Sequence, residues 1–209
     1  MEQRYIYVVF SSTPYRMGQV IRFLTRAQYN HVSISLEPTL ETMYGFARRY
    51  YRTPFYGGFV KESLARYHLN GIPSQVRVCR IPVTARQHTE LKQQLEAMYA
   101  DRYRYLYNHL SVIGTPFRRR IPVRDAFICV EFVVDILSGV LEQQVPMGYY
   151  SVEQLAKRLE PYVIYQGTVP KAQCEDPDFF SRKPIPHPIY SSVCSIAALI
   201  PRMLFKGNT

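Results

Sequence analysis

The run His31-Val32-Ser33-Ile34-Ser35-Leu36 constrains the fold more than any other stretch of the chain. Val32, Ile34 and Leu36 alternate with Ser33 and Ser35, the pattern of a strand with one buried and one polar face. Glu37-Pro38-Thr39 then turns the chain, and residues 42–48 read as the returning strand. Residues 31–48 are therefore expected to form a hairpin, which commits this part of the chain to an antiparallel sheet.

The remaining signals extend that sheet and add helices. Tyr5 to Phe10 read as a preceding strand, closed by Ser11-Ser12-Thr13-Pro14. Met17, Val20, Ile21 and Leu24 predict a helix over residues 15–27, broken at Asn30. Residues 49–58 are aromatic, basic and Gly-rich and read as an ordered loop; residues 59–62 and 75–82 read as strands. Thr84 is placed to cap a helix over residues 85–102, and residues 106–112 suggest a second helical piece. Asp125 is placed to cap the most apolar helix, residues 126–140. Ser151-Val152-Glu153-Gln154 matches a capping box for a helix ending near residue 159, and residues 162–169 read as a final strand. This order is α+β, not a regular βαβ alternation. Residues 170–188 hold five prolines and read as an extended arm; residues 191–205 read as an apolar helix interrupted at Pro201. The expected division is a domain of residues 1–169 and an extension of residues 170–209.

Composition limits the functional classes. No segment reads as a secretory signal, and none approaches the roughly 20 apolar residues of a membrane span. A cytoplasmic protein with free thiols is the expectation. Cys79, Cys129, Cys174 and Cys194 are scattered without metal-ligand spacing, so neither a metal nor a cofactor is expected. A Cys174–Cys194 disulfide stays open on spacing alone. The net charge of +10 suits a basic soluble surface or an anionic partner such as phospholipid head groups, an acidic polymer or nucleic acid. Tyr50, Tyr51 and Arg52, and the run Arg118, Arg119 and Arg120, are the surfaces such a partner would use. Interleaved Tyr and Arg of this kind more often form a solvated loop, and nucleic acid is not the expected partner. The apolar C-terminal helix is expected to dock on the domain or on a second copy, with peripheral attachment to a lipid surface as the alternative.

Two residues carry possible chemistry. Cys129 lies near a helix start, where a thiolate is favoured, and His31 stands at a strand edge. Glu131 follows closely enough to bond backbone groups around the cysteine. The other histidines are His68 in a loop, His88 on a polar helix face, His187 between prolines, and His109, the strongest rival for proximity to Cys129. Cys79, in mid-strand, reads as a packing residue.

The segments Tyr29-Asn30-His31-Val32-Ser33-Ile34-Ser35-Leu36 and Phe127-Ile128-Cys129-Val130-Glu131-Phe132-Val133, in that order, resemble the circularly permuted NlpC-type papain-like superfamily. YiiX-like and lecithin:retinol acyltransferase-like proteins belong to it. Residues 43–48 and 54–62 also look like segments of bacterial members, and the resemblance covers residues 5–169. It implies an antiparallel sheet packed against helices, with histidine preceding cysteine where papain-like enzymes usually have the reverse. It further implies Cys129 as nucleophile, His31 as base and the Cys129 amide as an oxyanion donor, with Ser11 or Ser12 lining the site. The substrate would be a small molecule, lipid or peptide with an amide, ester or thioester bond.

The chain departs from that pattern at the third group. The residue orienting the imidazole would fall on the returning strand, about a dozen residues after the histidine, where this chain has Met43. Thr42 or Tyr44 could substitute, as could Glu62 if its strand lies alongside, or a backbone carbonyl or water. Val130 also replaces the usual serine after the cysteine. Met43 and the positive charge together support an alternative: a catalytically weak or inactive binding module of the same fold on an anionic membrane surface or polymer.

Overall fold

A computed structural model describes residues 3–15, 18–19, 27–53, 55–69, 72–114, 120–141, 150–169, 176–181 and 187–204. Ten strands appear among them: β1 (Gln3–Ser11), β2 (His31–Ser35), β3 (Met43–Arg48), β4 (Gly57–Glu62), β5 (His68–Leu69), β6 (Ile72–Pro73), β7 (Gln75–Thr84), β8 (Leu106–Tyr107), β9 (Ala126–Phe127) and β10 (Val163–Thr168). The α-helices are α1 (Ala85–Ala100), α2 (His109–Gly114), α3 (Cys129–Val140), α4 (Val152–Arg158), α5 (Pro177–Phe180), α6 (His187–Ala197) and α7 (Leu199–Leu204). The fold is α+β. Eight strands form one sheet in the order β10-β7-β1-β2-β3-β4-β8-β9, and β5 and β6 make a separate hairpin. Within the large sheet only β8 and β9 pair in parallel.

The expected hairpin over residues 31–48 is present as β2 and β3, with Ile34 opposite Tyr44. Its polar face is not solvated. Every residue of β2 is buried, including Ser33 and Ser35. The Ser35 hydroxyl donates to the Glu37 and Thr42 carbonyls, and the Ser33 hydroxyl to the Met43 sulfur, so burial leaves their donors satisfied. A 3-10 turn at Leu64–Tyr67 belongs to what covers that face, where Tyr67 packs with Tyr7, Val9 and Met43. The opposite face carries the main core: Phe10, Val32, Ile34, Phe46 and Phe59 pack on Phe132, Val133 and Leu137 of α3 and on Leu91 and Leu95 of α1.

Thr84 and Ser151 cap α1 and α4 in reciprocal capping boxes with Gln87 and Gln154. Asp125 does not cap α3. It occupies a left-handed turn (φ 55°) and binds Arg104 through both carboxylate oxygens at 3.0 and 3.1 Å. Asp tolerates that conformation at low cost. Residues 126–127 are consequently β9, and the helix begins only at Cys129. The helical piece expected at residues 106–112 likewise divides into β8 and α2.

Among the described residues, the segment expected as an extended arm holds a short helix, α5. Phe179 in α5 is buried, and the Tyr51 amide donates to its carbonyl at 2.8 Å. The last helix breaks at Ala198, three residues before Pro201. That break places the proline in the first turn of α7, where its missing N–H costs nothing. Leu199 is buried with Leu106, Val123 and Ala126. Among the described residues no helix is long and apolar enough to cross a membrane. Most of the helix expected at residues 15–27 lies outside the described residues, as do Cys174, Arg118 and Arg119.

Candidate active site

His31 opens β2 directly opposite Ser11, the last residue of β1. Asn30 fixes that end of the sheet: its side chain accepts from the Thr13 amide at 2.9 Å and donates to the Thr13 hydroxyl at 2.7 Å. Beyond β3, β4 pairs so that Glu62 faces Met43. Both Glu62 oxygens lie within hydrogen-bond distance of His31 Nε2, at 2.9 and 3.1 Å. The partner expected at Met43 is thus supplied one strand further out.

Gly45 makes that reach possible. It lies on β3 between the two residues, and a Cβ there would stand 2.6 Å from Glu62 Oε1 and 3.3 Å from Ser33 Cβ. Any side chain at this position would collide with the carboxylate. The glycine is a clearance under the Glu62–His31 bond, a role that its place in the Met43-Tyr44-Gly45-Phe46 run does not advertise.

The pair is buried, with His31 7% and Glu62 3% exposed. The Tyr67 hydroxyl donates to Glu62 Oε2 at 3.0 Å, so the carboxylate has a second donor. Burial by itself would lower the His31 pKa. The negative charge of Glu62 and hydrogen bonds to Cys129 and Glu62 outweigh it and raise the value to about 10. For Glu62 burial pushes upward, and the His31 charge, its hydrogen bond and Arg66 bring the net shift below the ordinary carboxylate value.

The Cys129 thiol favours the charged form of His31. Nε2 is committed to Glu62, so Nδ1 is the ring nitrogen that remains for proton transfer. The cysteine is the first residue of α3 and is 5% exposed. The Ile128 amide just before it donates to Glu131 Oε2 at 3.0 Å, so Glu131 secures the helix start in place of a conventional cap. The first-turn amides of α3, including that of Cys129, have no intrahelical carbonyl to bond. β9 delivers the cysteine through its parallel pairing with β8, and the Asn108 amide donates to the Phe127 carbonyl at 3.0 Å. Asn108 is fully buried and also bonds Ser111 and the Ile121 carbonyl.

A cavity of about 210 Å³ opens on His31, lined chiefly by Phe46, Phe55, Tyr107, His109, Phe179 and Arg48. Burial raises the Tyr107 pKa, and the nearby Cys129 and Glu131 add to the rise.

The other sequence candidates do not join the His31–Glu62 pair. Tyr44 lies on the helix-covered face and stacks on Phe59, away from His31. Ser11 is buried beside Tyr67, on the His31 side. His109 binds the Phe55 carbonyl, His68 the Val169 carbonyl, His88 the Leu36 carbonyl, and His187 packs on Tyr50 and Tyr56. Burial lifts the Cys79 thiol to about 12, as befits a packing residue. Tyr51 packs into a cluster with Tyr15, Phe179 and Phe180. Among the described residues no group of three or more His, Cys, Asp or Glu could hold a metal ion.

Imidazole and carboxylate thus pair in the wall of a largely apolar cavity, and the Cys129 thiol acts on the same ring. No family model, curated protein or solved structure matches this chain. What the site can do rests on its own geometry.

Proposed function

We propose that this protein is a cysteine-dependent hydrolase or acyltransferase acting on an amide, ester or thioester. The observation that carries the reading is the buried Glu62 carboxylate on His31 Nε2, with the Cys129 thiol favouring the charged form of the same ring. The thiol proton already resides on His31, whose imidazolium faces Glu62, and Cys129 Sγ attacks the carbonyl carbon. Glu62 holds the ring in orientation and stabilises the imidazolium. The developing oxyanion accepts from the Cys129 amide. The imidazolium then protonates the leaving amine, alcohol or thiol as the carbon–heteroatom bond breaks. Water or an acceptor nucleophile attacks the thioester, giving its proton to His31 and releasing Cys129.

The same arrangement supports a permuted papain-like architecture. A histidine at a strand start precedes a cysteine at a helix start, and that helix packs on an antiparallel sheet. The binding-module alternative drew on Met43 at the third position, and Glu62 fills that place at His31.

Cys194 is exposed and serves as an internal reference thiol. With iodoacetamide and peptide mapping, Cys129 should alkylate at least about tenfold faster than Cys194, and His31→Gln should abolish the difference. A Cys129 no faster than Cys194 would overturn the reading.

A further inference from the structure

Two guanidinium groups line the cavity, and they differ in their partners. Arg66 is matched: its Nε lies 2.5 Å from Asp176 Oδ2, and its other nitrogens donate to the Lys61 and Arg48 carbonyls. Arg48 is not. It ends β3, lies over the Tyr15 ring at 4.4 Å and donates from one nitrogen to the Tyr51 carbonyl at 3.2 Å. Among the described residues no carboxylate lies within ion-pair distance of it. A guanidinium keeps its charge even when partly buried, and a charge without a counter-ion in such a setting is costly.

We propose that Arg48 is the subsite for an anionic group, a carboxylate or phosphate, carried by the substrate of the Cys129 site. This rests on Cys129 being the nucleophile. Tyr107 connects the two places: its hydroxyl lies within electrostatic reach of both Cys129 and Arg48. An anion on Arg48 therefore sits in the same small cavity that His31 lines. The rest of that cavity is largely apolar, with Phe46, Phe55 and Phe179 in its wall. Its volume of about 210 Å³ is below that of ordinary drug-sized sites. The fitting substrate is a small acyl compound with one negative charge and an apolar or aromatic portion. Arg presents paired donors that match a carboxylate or phosphate edge.

Iodoacetate and iodoacetamide are a matched pair that differ in one charge. The ratio of their alkylation rates at Cys129, relative to that at Cys194, should fall about tenfold in Arg48→Gln and be largely kept in Arg48→Lys. An unchanged ratio in folded Arg48→Gln overturns the inference and leaves the nucleophile standing. A Cys129 no faster than Cys194 with either reagent overturns both. A second measurement needs no variant. In the unaltered protein 3-phenylpropionate or phenyl phosphate should protect Cys129 from iodoacetamide, and 3-phenylpropionamide should not. Protection by one acid alone tells carboxylate from phosphate. Equal protection by the amide, or none by either acid, overturns the inference.

Discussion

His31 and Glu62 hold opposite charges out of water, and each depends on the other. A buried pair of this kind is sensitive to pH on both sides. The folded-state pKa of His31 is raised above the ordinary 6.5 to about 10. Its stabilising contribution is full below pH 6.5 and is lost as pH rises toward 10. The Glu62 pKa is lowered from 4.5, so its contribution is full above pH 4.5 and is lost as pH falls through the lowered value. The pair stabilises the fold most between about pH 4.5 and 6.5. The difference in unfolding free energy between the unaltered protein and Glu62→Gln, measured by urea titration, should peak in that window and shrink at higher pH. The imidazole proton resonance of His31 should titrate near 10, and in Glu62→Gln well below it. Much of this site was legible in the sequence: Cys129 and His31 stood out by residue type and position, and Glu62 was within the candidates. What fixed Glu62 was a strand register, and no local pattern in the chain encodes which strand lies two places from His31.

Strands and helix starts determine which of these groups meet. β3 must be low at one point for a side chain from β4 to cross it, and Gly45 is that point. Gly45→Ala should push the Glu62 carboxylate off His31 without removing any polar group. The iodoacetamide rate at Cys129 should fall about 10–100-fold while the protein stays folded. An unchanged rate would show that Glu62 reaches His31 by another route. The helix caps at Thr84 and Ser151 were plain in the sequence because capping is a local code. The start of α3 was not, because a turn at Asp125, an ion pair to Arg104 and the pairing of β9 with β8 outweigh the cap preference of an Asp. The serines of β2 misled for a related reason. Alternation reports polarity, and a polar face can be buried once nearby carbonyls and a sulfur accept its hydroxyls.

At the scale of the molecule the last described helix is tied to the strands that lead to Cys129. Leu199, in the last described helix, closes a small core with Leu106, Val123 and Ala126, the residues of and around β8 and β9. β9 leads directly into Cys129. Leu199→Ala should lower stability by about 2–5 kcal/mol in thermal or urea unfolding. It should also slow Cys129 alkylation, because the platform under the thiol loosens. A loss of stability with unchanged alkylation would separate the two. The proline-rich composition of residues 170–188 concealed the burial of Phe179, whereas the apolar helix that carries Leu199 was expected to dock on the domain or on a second copy.

Phe179 forms part of the wall of the cavity that His31 opens on, and it lies 50 residues after Cys129 in the chain. During synthesis the sheet, the thiol and its imidazole all leave the ribosome before that wall exists. The cavity therefore matures late. A nascent chain that has reached Thr168 carries every strand of the sheet, and the wall beside His31 is complete only as the tail arrives.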